Sequence, residues 1–192
     1  IGQKLADRLS IKCYDSELLS IAAKNSGFCE EILQKNDEKP TNSFLYSLVM
    51  DTYSFGYSSS GFTDMPMNHK IFLAQFDAIK KLASEGPCVM VGRCADYALS
   101  EYKDCFSVFV HADIDWRINR LSQKHNKTAK EAKDMINKTD KSRSSYYNYY
   151  TNKKWGAASS YNLCVDSSKL GIDGAAKAII QAIEIFDSIK NK

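Results

Sequence analysis

Several arginines in this chain stand where anions could be handled. Arg93 follows Gly92 directly after the apolar run Cys88-Val89-Met90-Val91. A guanidinium released from the end of a buried strand by a glycine can grip a phosphate through two parallel N–H bonds. Asp15 and Ser16 leave another short run, Ile11 to Tyr14, and offer a carboxylate and a hydroxyl to a ligand's hydroxyl or base. The competing role of Asp15 is that of an ordinary helix N-cap. Arg117 and Arg120 stand three apart in DIDWRINRL, on one helix face, where two cations can address one anion. Lys141 and Arg143 open the segment TDKSRSSYYNYYTNKKWG, in which cations are interleaved with Tyr146, Tyr147, Tyr149, Tyr150 and Trp155. Such a segment serves as a flap that shields a phosphorylated ligand from water, as a stacking surface for single-stranded nucleic acid, or as a solvated helix whose tyrosines pack on the body.

Other chemistries find little support. His69, His111 and His125 are scattered, without the H-E-x-x-H spacing of a zinc hydrolase. The cysteines at 13, 29, 88, 94, 105 and 164 form no C-x-x-C pair, which argues against a zinc site or a disulfide framework and for thiols in a reducing cytoplasm. Neither G-x-x-x-x-G-K-[ST] nor G-x-G-x-x-G occurs. With 26 Lys and Arg against 23 Asp and Glu, the net charge of +3 is ordinary for a soluble enzyme and low for a constitutive nucleic-acid binder. Apolar runs such as IFLA and CVMV are far too short to span a bilayer.

Positioning these residues requires strands that end beside one another. Ile1, Leu5 and Leu9 mark a helix that opens the chain without a cap, and Ile11 to Tyr14 reads as a strand. A helix with Leu18, Leu19, Ala22 and Ala23 on one face then runs to Gly27. From Lys39 to Asn68 periodicity is lost in favour of Ser, Thr, Asn, Gly and Tyr, as in a mobile excursion. Helical spacing returns at Phe72, Phe76, Ile79 and Ala83 and stops at the SEGP turn. CVMV suits a strand buried on both faces of a parallel sheet. Further strands are expected at Cys105 to Val110 and Tyr161 to Asp166, with helices from Asp113, from Thr128, and over Ile172 to Phe186. Alternating strands and helices predict an α/β fold, a parallel sheet flanked by helices, with ligands at the strands' C-terminal ends.

Taken in order, IGQKLADRLSIKCYDSELL, VMVGRCADY, VFVHADIDWRINRL, TDKSRSSYYNYYTNKKWG and YNLCVDSSKLGIDGA resemble the cytidylate kinase-like family of P-loop nucleoside monophosphate kinases, across nearly the whole chain. The resemblance implies a single kinase-like domain over 1–192 with the three-layer αβα P-loop NTPase fold, an acceptor-binding excursion at 28–70 and a lid at 122–158. It implies ATP and Mg2+ as cofactors, and phosphoryl transfer to a CMP- or dCMP-like acceptor. Small-molecule nucleotides are then the partners, rather than nucleic acid or a membrane, and a homodimer is compatible with this. By the same resemblance Arg143 and Lys141 are catalytic cations, Asp15, Ser16 and Arg93 bind the acceptor, and Gly2, Arg117 and Arg120 serve ATP and its phosphates. Gly2 matches the last glycine of the family's phosphate loop, whose remainder and preceding strand belong upstream of Ile1. No metal-ligating residue is assigned. Two positions depart from the pattern: Cys94 replaces an acidic residue and Ile21 an arginine, both on the acceptor side. Charged contacts of that kind contribute about 1.5–3 kcal/mol each, so their loss points to a shifted acceptor preference or to a non-catalytic nucleotide-binding protein.

Overall fold

The computed structural model describes residues 1–15, 18, 20–22, 31, 34, 37–38 and 67–190; Ser16 and most of the 28–70 excursion lie outside the described residues. Helix α1 (Gly2–Leu9) follows the Ile1, Leu5, Leu9 spacing and ends at Ser10, whose left-handed backbone turns the chain into strand β1 (Lys12–Tyr14). Helix α2 (Met67–Glu85) begins inside the stretch expected to be irregular and delivers the chain to β2 (Cys88–Met90). A short helix α3 (Ala95–Ala98) leads to β3 (Val108–His111), and α4 (Ile114–His125) starts where the Asp113 carboxylate accepts the Asp115 N–H. Helix α5 (Ala129–Thr151) opens on a reciprocal capping box between Thr128 and Glu131 and stops at left-handed Asn152. β4 (Leu163–Asp166) and α6 (Ser167–Lys190) complete the order. Gly171, at φ 67°, breaks α6 after its first turn. The periodic helix therefore starts at Ile172, as the spacing predicts.

The strands pair in parallel, but as two separate ladders. Lys12, Cys13 and Tyr14 of β1 face Cys88, Val89 and Met90 of β2. Val108 to His111 of β3 face Leu163 to Asp166 of β4. The one continuous four-stranded sheet expected from the sequence is corrected to two two-stranded sheets among the described residues. The expected double-sided burial of CVMV is corrected with it: Cys88 to Met90 are half-buried and Val91 is 39% exposed. The reason is that the free edge of β2 meets no strand among the described residues. β3 and β4 also start later than their apolar runs do. Ser107 and Asn162 clamp each other there, with the Ser107 N–H and hydroxyl both donating to Asn162 Oδ1 at 2.8 Å.

One helical layer serves both sheets. Leu5 of α1 and Ala175, Ala176 and Ile179 of α6 form a cluster with Val165 of β4, and Val89 of β2 and Val108 of β3 pack against it. On the β1–β2 side, Tyr14, Leu18, Ile79, Leu82 and Ala98 make a second core. Helix α5 is anchored to α2 by aromatic packing: the rings of Phe72 and Tyr150 stack 4.0 Å apart, flanked by Tyr146. Among the described residues no helix is long and apolar enough to cross a membrane.

Candidate functional site

The site is built around a left-handed turn at the end of β2. Gly92, Arg93 and Cys94 take positive φ in succession, at 74°, 53° and 56°. For the two non-glycine residues such backbone is strained by about 1–2 kcal/mol each. The turn sends the Arg93 side chain back beneath the strand exits, where it is only 8% exposed. Its Nη1 donates to the main-chain oxygens of Asp15 at 2.8 Å and Val91 at 3.1 Å, and reaches Asp15 Oδ1 at 3.5 Å. Its Nε and Nη2 form a fork on Asp37, at 3.2 and 2.9 Å. Burial alone would lower the guanidinium's pKa; Asp37, Glu38 and Asp15 outweigh it and hold the group above its usual value.

Glu38 carries the site outward to α5. One carboxylate oxygen accepts the Arg93 backbone N–H at 3.4 Å, and the other accepts Arg143 Nε at 2.8 Å. The Ser142 hydroxyl donates to the Glu38 main-chain oxygen at 3.0 Å. Gly92 makes room for this approach, since a Cβ there would lie 2.8 Å from Glu38 Oε1. Asp37 is secured from α2 and α5 in turn: Gln75 Nε2 donates to it at 3.2 Å, and the Tyr146 hydroxyl donates to Gln75 Oε1 at 3.0 Å. The sequence reading passed over Asp37 and Glu38. The available signal was an acidic pair at the mouth of the excursion, in a chain whose other candidate site residues are mostly cationic.

The remaining candidates are distributed as follows. Arg117 closes on Asp140 of α5, three residues and one helical turn before Arg143. Arg120 does not join it on a common anion here, because its guanidinium lies over the Trp116 ring. Lys141 is exposed, and its main-chain oxygen accepts from Ser144. Gly2 sits against the end of β2, where a Cβ would lie 2.9 Å from Val91. The Asp15 carboxylate is 67% exposed at the mouth of the site.

Both departures from the family pattern are packing residues. Cys94 is buried in the cluster of Phe72, Leu73, Tyr146, Tyr147 and Tyr150. Ile21 packs on Ala22, Ile71 and Ala78. Two residues beyond Cys94, the Asp96 carboxylate accepts the Tyr147 hydroxyl at 2.7 Å and Lys153 Nζ at 3.3 Å.

The model of the cytidylate kinase-like family matches residues 1–169. The crystal structure of an uncharacterized protein from Eubacterium ventriosum ATCC 27560 is similar, at 26% identity and a TM-score of 0.67, over 95% of this chain and 88% of that one. No curated protein sequence matches.

Proposed function

The chain belongs to the cytidylate kinase-like family, and from that premise we propose that it transfers a phosphoryl group from ATP to a nucleoside monophosphate, CMP or dCMP being the first acceptors to test. The observation that carries the reading is the meeting of the Arg93 and Arg143 guanidinium groups on the neighbouring carboxylates of Asp37 and Glu38, with Arg117 fastened to the same helix as Arg143 one turn away. Cations gathered from separate segments around one acidic pair are what a migrating phosphoryl group requires. In this reading Arg143 and Lys141 shield that charge. Arg93 fixes the strand exit that carries Asp15, whose exposed carboxylate and the adjoining Ser16 address the acceptor.

The donor side of this reading falls to α1, where Gly2 packs against the end of β2. ATP's phosphates would then lie at the first turn of α1, where Ile1 makes no side-chain cap and the N–H groups are open to an anion. Magnesium supplies further charge neutralisation across the phosphates.

A second reading, a nucleotide-binding protein without transfer, is favoured by Arg93, whose fork is already filled by Asp37. Nucleic acid is a poorer fit, because Tyr146, Tyr147 and Tyr150 are 3%, 6% and 1% exposed and offer no face for stacking. Cys88, Cys94, Cys105 and Cys164 are thiols, as suits a reducing cytoplasm. The test is coupled ADP release with Mg-ATP against a panel of monophosphates, beside calorimetry. Turnover that falls by about a hundredfold or more in Arg143→Ala supports transfer. Binding without turnover selects the second reading, and neither binding nor turnover removes both.

A further inference from the structure

Asp37 and Glu38 are neighbours with opposite standing. Asp37 is 22% exposed and forks onto an arginine that is only 8% exposed, with Gln75 as a further donor. That pair is built in. Glu38 reaches Arg143 through Nε alone, and Arg143 is 52% exposed. Among the described residues its Nη groups, the arms that make fork contacts with phosphate, are not part of that contact. The Glu38 carboxylate, itself 19% exposed, therefore holds Arg143 by a single contact whose arginine side is open to solvent, while its other oxygen rests on the Arg93 N–H at the strained turn. The Ser142 hydroxyl ties the same residue to α5 through its main chain.

We propose that Glu38 is an internal placeholder for phosphate: it holds Arg143 against the β2 exit until a phosphate-bearing ligand takes the guanidinium from it. The proposal rests on the nucleotide reading for the identity of the natural ligand, and on the Glu38 contacts for the exchange itself. A multiply charged phosphate that forks onto Arg143 outcompetes a single carboxylate contact, because charge-assisted bidentate bonds are the stronger kind and exposed ion pairs are weak. Asp37 stays on Arg93 throughout, so the β2 turn keeps its shape while α5 is released.

The experiment uses wild type, Glu38→Gln, Arg143→Ala and the double variant. Calorimetry with inorganic tripolyphosphate reads the exchange, and hydrogen exchange over 139–147 without ligand reads the hold on α5. Glu38→Gln is expected to bind tripolyphosphate about two- to fivefold more tightly, the equilibrium worth of an exposed pair. The gain should vanish in the Arg143→Ala background, and exchange over 139–147 should quicken. Unchanged or weaker binding overturns the proposal, as does absence of binding to both proteins. An equal gain with and without Arg143 also overturns it, since that is only loss of a background charge. Parallel titrations with nucleotides separate the two claims: tripolyphosphate exchange without any nucleotide binding removes the kinase reading and leaves the placeholder standing.

Discussion

Both arms of the Arg117 guanidinium end on the two carboxylate oxygens of Asp140, at 2.6 and 2.7 Å. The pair joins α4 to α5, and the hydrogen bonds that Arg117 donates to the Asp140 carboxylate outweigh burial and hold the guanidinium above its usual pKa. The two side chains are 33% and 28% exposed, so the pair belongs near the upper end of surface ion pairs. Asp140→Ala should cost about 1 kcal/mol in urea unfolding. In the kinase reading it should also raise the Michaelis constant for ATP several-fold, because Arg117 loses its fixed orientation. A rise in the acceptor constant alone would move Arg117 to the other side of the site.

Arg93→Ala should be far more damaging. It removes the fork from Asp37 and the two main-chain contacts that pin the exits of β1 and β2. A largely buried carboxylate left without its cation costs about 3–5 kcal/mol. Arg93→Lys should recover only part of this, since an ammonium cannot form the fork. Urea denaturation at neutral pH measures both. A loss under about 1 kcal/mol for Arg93→Ala would mean that Asp37 does not depend on this partner.

The legibility of these residues differs by cause. The helices of the C-terminal half were readable because their apolar spacing, the Thr128 to Glu131 cap and the Asp113 cap are all local. Parallel pairing was readable from apolar runs separated by helices, whereas the division into two ladders was not, since a strand's sequence does not reveal whether its edge is taken. Arg93 could be singled out by its place after Gly92. Its partners could not, because Asp37 and Glu38 come from a distant part of the chain and only tertiary structure brings them under the turn. Arg117 and Arg120 share a helix, but spacing alone could not say that Asp140 would claim one and Trp116 the other.

Restoring the family's acidic residue tests whether position 94 faces a ligand or the core. Cys94 is 4% exposed among aromatic rings, and burial foremost, then the charges of Asp96 and Glu38, pushes its thiol well above its usual pKa. A carboxylate in that place meets the same dry, negative surroundings. Cys94→Asp should cost about 3 kcal/mol, a fall in Tm of roughly 6–12 °C for a chain of this size. Cys94→Ala should stay within about 1.5 kcal/mol. An undiminished Tm in Cys94→Asp would show that the position has polar company after all and would return it to the acceptor pocket.

The acid limb of stability should carry the signature of His69. The ring is fully buried, 6.0 Å from Tyr150 and 6.3 Å from Phe72, and burial lowers its pKa below the ordinary 6.5. The folded chain therefore refuses a proton that the unfolded chain accepts. Above pH 6.5 both states hold the neutral ring and nothing is lost. As the pH falls through about 6.5 the unfolded state gains its proton first, and stability declines by up to about 1.4 kcal/mol per pH unit until the folded pKa is reached. In His69→Phe this contribution is gone, whatever fixed offset the larger ring introduces. Urea unfolding of both proteins at pH 7.5, 6.5 and 5.5 should show wild type losing more than the variant over the lowest interval. Parallel curves across that interval would mean that the folded protein protonates His69 as readily as the unfolded chain does.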